Sequence, residues 1–153
     1  RREKRNQHEM TDLFTIRDAR EDDLPTLNAY NYSEGMDAFS SAENIRVAVN
    51  GADEIVGYLR LAFSPEGVAH VNPVVTYPTW RGYGVGRALM DEALERYGEL
   101  RFVARGTSVG FYEKLGYRVI PWGEVCLDVA EDCRRCTLVE ECKPVPMGKK
   151  LGE

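Results

Sequence analysis

The feature that most constrains this chain is the run Arg81-Gly-Tyr-Gly-Val-Gly86, set between a strand-like segment and a strongly patterned helix. In the helix, Arg87 to Tyr97, apolar Ala88, Leu89, Ala93, Leu94 and Tyr97 recur at helical spacing, with Asp91, Glu92, Glu95 and Arg96 mostly on the opposite side. A glycine-rich turn entering such a helix leaves unpaired N–H groups aligned with the helix dipole, and lacks the Cβ atoms that would hold an anion away. Phosphate is the natural guest, and Arg81 and Arg87 add positive charge at the same place. Neither familiar nucleotide fingerprint is met: position 87 is Arg where the dinucleotide motif needs Gly, and no Gly-Lys-Ser/Thr follows for a P-loop. The same glycines could also serve only to make a tight strand-to-helix turn.

The surrounding pattern sets the architecture. Leu13 to Arg17 reads as a strand, then a helix capped by Asp22 or Asp23 with Pro25 in its first turn, then a weaker helical stretch over Ser33 to Glu43. Ile45 to Val49, Glu54 to Phe63 and Val68 to Val75 follow as an antiparallel meander, with a turn at Asn50-Gly51 and a bulge expected at Pro73, which cannot donate to a ladder. Beyond the glycine turn come the helix ended by Gly98, a strand over Leu100 to Ala104, and a helix from Ser108 to Leu115 stopped by Gly116. The fold class is α/β (α+β): a mixed, mostly antiparallel sheet flanked by helices, with one parallel pair between the strands near 68–76 and 100–105.

Composition closes other routes. The 153 residues suit one domain, read as 13–153 after a flexible N-terminal extension at 1–12. The 20 Lys and Arg against 25 Asp and Glu give a net charge of -5, which disfavours nucleic acid as a partner. No apolar run approaches the ~18 residues of a membrane span, and RREKRNQHEM lacks the apolar stretch of a secretory signal, so the reading is cytoplasmic.

The run Pro78-x-Trp80-Arg81-Gly82-x-Gly84-x-Gly86-x-Ala88-Leu89, followed about 30 residues later by Phe111-Tyr-Glu-Lys-Leu-Gly-Tyr117, resembles the GNAT superfamily of acetyl-coenzyme A dependent N-acetyltransferases. The resemblance is specific over 75–117 and topological from residue 14. It implies that Arg81, Gly84 and Gly86, with Gly82, Tyr83, Val85 and Arg87 around them, hold the coenzyme pyrophosphate. It also implies that the strand through Val74, Val75 and Thr76 bonds the pantetheine arm, and that paired chains are a common assembly. Where many relatives carry Asn before the second motif, this chain has Arg105-Gly-Thr-Ser108, so Arg105 or Ser108 takes its place.

Acyl transfer from a thioester to an amine needs a neutral amine, a donor to the developing oxyanion and an acid for the leaving thiolate. Tyr112 is the expected acid, since a phenol with a reference pKa of ~10 stays protonated at neutral pH. Phe111 is assigned to the core. Of the two His, His8 lies in the N-terminal extension, which leaves His70 as the expected base, with Glu66 or ordered water as alternatives. All four Cys fall at 126, 133, 136 and 142. A Cys-x-x-Cys turn with two outliers suits a structural zinc held by Cys126, Cys133, Cys136 and Cys142, and disulfides are the rival. The resulting expectation is an N-acetyltransferase moving an acetyl group from acetyl-CoA to a primary amine of a small molecule or peptide in a ternary complex. The alternative is a non-catalytic acyl-CoA-binding regulatory domain. Carboxylates between Asp18 and Glu43 favour a cationic acceptor.

Overall fold

Short apolar and β-branched segments form the sheet in the computed structural model, which describes residues 13–153, and along Glu99–Ala104 buried positions alternate with half-buried ones. Seven strands hydrogen-bond in the order β1-β2-β3-β4-β5-β7-β6. They are β1 (Thr15–Asp18), β2 (Ile45–Val49), β3 (Ile55–Phe63), β4 (Ala69–Thr76), β5 (Glu99–Ala104), β6 (Arg118–Val119) and β7 (Val145–Lys150). The helices are α1 (Leu24–Ser33), α2 (Val85–Tyr97), α3 (Val109–Lys114), α4 (Leu127–Arg135) and α5 (Val139–Cys142). Among the described residues no helix is long and apolar enough to cross a membrane. Chain contacts divide the molecule into two compact units, residues up to 60 with 74–89, and 61–73 with 90–153.

In the first unit, β1 runs antiparallel to β2 with Thr15 opposite Val49, and β2 antiparallel to β3 with Ile45 opposite Arg60. Leu27 from α1 joins Ile45, Val47, Val49 and Tyr58 in a buried cluster flanked by Tyr30, Phe39 and Tyr77. Pro25 sits in the first turn of α1 as expected, but Asp23 makes no side-chain cap there. Its carboxylate instead accepts from the Arg20 amide at 2.7 Å and pairs with Arg17 at 2.8 Å, which holds it below the usual carboxylate range. The expected second helical stretch is absent: α1 ends at Ser33, and the chain continues without a helix to Ile45. Side chains replace helical bonds there. Asn28 Nδ2 donates to the Phe39 carbonyl at 3.1 Å and Asn28 Oδ1 accepts the Phe39 amide at 2.8 Å, while Asn31 Nδ2 donates to Asp37 O at 3.2 Å.

In the second unit, β4 and β5 form the parallel ladder, with Ala69 opposite Leu100 and Val71 opposite Phe102. That ladder stops before Pro73, the residue expected to break it. The other described ladders are antiparallel: β5 with β7, and β7 with β6. β7 returns between β5 and β6, so the C-terminal hairpin is enlarged by α4 and α5. Ile120, Val125, Val129 and Ala130 form a second buried cluster that takes in Cys126. Gly98 and Gly116 end α2 and α3 at φ 79° and 95°, the left-handed region where a Cβ would clash.

Candidate functional site

The helix mouth in the first unit is built by three local devices. Pro78–Trp80 makes a single 3-10 turn after β4, and Gly82 and Gly84 then take positive φ of 89° and 79°, which swings the main chain into α2. The first helical bond is donated by Ala88 to Gly84 O at 2.9 Å, so the amides of Val85 and Gly86 stand at the positive end of the helix dipole. Aromatic rings brace the turn: Phe14 meets Trp80 edge-on at 6.4 Å, and Trp80 meets Tyr83 at 5.2 Å. Val85 is buried, whereas Arg81, Gly82, Tyr83, Gly84 and Arg87 are exposed, so a donor set backed by a firm wall is open to an anion.

Gly57 on β3 makes this placement possible, and sequence reading did not single it out. A Cβ there would lie 2.7 Å from Val75 O and 2.8 Å from Val85 Cγ1, so only glycine lets the helix mouth and the end of β4 close onto β3. Its signal was an isolated glycine inside a strand pattern. A Cβ at Gly86 would sit 3.3 Å from Thr76 Oγ1, which is tight but less restrictive. Val74, Val75 and Thr76 are half-buried at the end of β4.

Tyr112 lies in the second unit, early in α3, half-buried among rings: Phe102 at 4.7 Å, Phe111 at 5.2 Å and Tyr117 at 6.0 Å. Burial pushes its phenol above the ordinary value of 10.0, which keeps the proton on oxygen at neutral pH. Phe111 is not in the core. It is 55% exposed, because a six-residue helix has room to bury only one side of the Phe-Tyr pair. Ser108 precedes α3 half-buried, its amide bonded to Arg105 O at 2.8 Å and its hydroxyl making no cap.

His70 has no free nitrogen. The ring is fully buried, Nε2 accepts the Cys126 amide at 3.0 Å, and Nδ1 faces Val68 O at 3.0 Å. Because Nε2 is an acceptor, the ring proton sits on Nδ1 and is donated to that carbonyl. Burial, then the positive charge of Arg101, pulls the imidazole below its usual 6.5. With both nitrogens engaged, the ring of the expected base ties β4 to the Cys126 amide at the start of α4. His8 lies outside the described residues.

The expected zinc ligands are Cys126, Cys133, Cys136 and Cys142. Among the described residues no group of three or more His, Cys, Asp or Glu is arranged to hold a metal ion, and all four thiols are free. Cys133 lies in the last turn of α4 and Cys136 caps it, with the Cys136 amide donating to Cys133 O at 3.2 Å. Burial, followed by the neighbouring thiols of Cys142 and Cys136, pushes the Cys133 thiol up. Cys126 packs into the Ile120 and Val125 cluster instead.

A family model described as an acetyltransferase (GNAT) domain matches residues 41–119, slightly more than half of the chain. The chain belongs to the GNAT acetyltransferase family. Among individual proteins, it is 37% identical over 82 residues to the peptidyl-lysine N-acetyltransferase YjaB of Escherichia coli (strain K12), a match spanning 52% of this chain and 52% of that protein. Two solved structures share the fold. Rv2747 from Mycobacterium tuberculosis, solved with CoA, is 19% identical with a TM-score of 0.68 over 90% of this chain and 99% of that one. The N-acetylglutamate synthase from Neisseria gonorrhoeae, solved with coenzyme A and N-acetyl-glutamate, is 13% identical with a TM-score of 0.69 over 92% of this chain and 35% of that one.

Proposed function

We propose that this protein is an acetyl-CoA dependent N-acetyltransferase that acts on a primary amine. The observation that carries the reading is the helix mouth at Gly84 to Gly86: a positive helix end, left-handed Gly84 and nearby Arg81 suit an anion such as a diphosphate. Arg81, Gly82, Tyr83, Gly84, Val85, Gly86 and Arg87 hold that diphosphate, and main-chain groups of Val74, Val75 and Thr76 pair with the amides of the pantetheine arm as an added strand would. Ser108 supplies a hydroxyl towards the same arm. Tyr112 keeps its proton and delivers it to the departing thiolate as the amine attacks the acetyl carbonyl directly.

The proton on the incoming ammonium passes to water, since the buried imidazole of His70 is neutral and occupied. The acceptor class to try first is a lysine side chain within a peptide, which matches the activity in the name of the YjaB relative. Internal partners already use three of the carboxylates expected to attract a cation: Asp18 pairs with Arg46 at 2.7 Å, Asp23 with Arg17 at 2.8 Å, and Glu21 accepts the Ala42 amide at 2.7 Å. The four free thiols suit the reducing cytoplasm in which we place the protein.

The test is release of free thiol from acetyl-CoA in the presence of lysine peptides, polyamines and amino acids. Tyr112→Phe should lower kcat by about 10- to 100-fold while leaving coenzyme A affinity within about twofold of wild type. Tight coenzyme binding with no thiol release from any amine would point to a non-catalytic acyl-CoA-binding domain.

A further inference from the structure

The two short helices that enlarge the C-terminal hairpin carry thiols that acetyl transfer leaves unused. Cys133 lies in the last turn of α4, partly buried, and Cys136 follows the end of that helix, exposed. Cys133, Arg134 and Arg135 are all helical, and the Cys136 amide donates to Cys133 O at 3.2 Å. Helix dimensions then set the Cys133 and Cys136 Cα atoms ~5 Å apart, inside the ~4.4–6.8 Å span that a disulfide bridges. Residues three apart also share a helix face, with Cβ atoms ~5–6 Å apart, so closing the bond needs an approach of only ~1–2 Å. The site can supply it. Cys136 has already left the helix, at φ -68° and ψ 129°, and Cys133 lines a cavity of about 290 Å³ with Trp122, Val139 and Pro144, which leaves its side chain space to turn. The other two thiols are placed differently. Cys126 stands at the N-cap of α4, ~10 Å from Cys133 along the helix. Cys142 ends α5, where its amide donates to Leu138 O at 2.8 Å and its carbonyl packs on Gly106, 3.4 Å from where a Cβ would stand. Its thiol is partly buried, so an incoming reagent meets Cys136 first.

We propose that Cys133 and Cys136 are a redox couple, a dithiol at rest that becomes a disulfide on reaction with a small-molecule disulfide. The exposed Cys136 thiolate attacks one sulfur of the reagent, whose S–S bond breaks and releases one thiolate. The Cys133 thiolate then attacks the Cys136 sulfur of this mixed disulfide, which forms the Cys133–Cys136 bond and releases the second thiolate. Two protein thiols are oxidised, the reagent is reduced to two thiols, and the two protons leave with those products. The inference is independent of acetyl transfer. It suits a reducing compartment, where disulfides are transient and redox-sensing.

Incubation of the reduced protein with oxidised glutathione, followed by alkylation and peptide mass spectrometry, tests this. Wild type should lose two of its four alkylatable thiols, gain a Cys133–Cys136 linkage and recover both thiols with dithiothreitol. Cys133→Ser should instead accumulate glutathione on Cys136, because the thiol that resolves the mixed disulfide is gone. Cys136→Ser, a change at an exposed position, should form no internal disulfide in the time that oxidises wild type. Cys142→Ser should oxidise as wild type does. Tm values near that of wild type verify that the variants fold, and Cys136→Ser decides alone if Cys133→Ser unfolds. A wild type that keeps all four alkylatable thiols, or that stops at the mixed disulfide, overturns the inference. So does a linkage to Cys126 or Cys142, or zinc that stays bound to the purified protein and shields Cys133 and Cys136 from oxidation.

Discussion

His70 illustrates how one side chain can be read by its partners rather than its type. The ring accepts the Cys126 N–H and donates to Val68 C=O, which also accepts the Ser64 amide. His70→Ala should therefore cost about 2 to 4 kcal/mol, from the lost hydrogen bonds and the space left behind, measured by chemical denaturation. His70→Gln should be milder and should leave the position of the pH profile of kcat/KM unchanged, which a catalytic base would not allow. The linkage has a definite sign. The folded imidazole titrates below 6.5, so its contribution is complete above that pH and is lost as pH falls from there through the depressed folded value. The ring's partner at Cys126 lies 56 residues away and left no local signal, so the sequence alone could not separate a base from a structural ring.

At the scale of elements, the decisive junction is β3, the end of β4 and the first turn of α2. Gly57→Ala should destabilise the protein by about 1 to 3 kcal/mol, because the new methyl meets Val75 O at 2.7 Å and Val85 Cγ1 at 2.8 Å. It should also weaken coenzyme binding more than Gly51→Ala, a glycine with nothing within 4 Å of its missing Cβ. Denaturation midpoints and calorimetry on the two variants make the comparison. The α2 helix was legible because its apolar period and the following Gly98 agree. The loop over 34–44 was not, since side-chain amides at Asn28 and Asn31 organise it, and their bonds to Phe39 and Asp37 look in sequence like an amphipathic run.

For the whole molecule, the meander of β2, β3 and β4 and the parallel pairing of β4 with β5 followed from hydrophobic periodicity and turn chemistry, and the match over residues 41–119 places the chain in the GNAT family. The C-terminal part was the least legible. Clustered cysteines suggested a metal, and the fold leaves Cys126, Cys133 and Cys142 partly buried and Cys136 exposed. Spacing in sequence does not reveal which thiols a fold will bury. The central claim is that main-chain amides at the mouth of α2 receive the coenzyme diphosphate. An amide NMR titration with coenzyme A measures this directly: the largest saturable shifts should fall on Gly82 to Gly86 and be absent with pantetheine, which lacks the diphosphate. Shifts concentrated elsewhere, or equal shifts at those amides with pantetheine, would contradict the account.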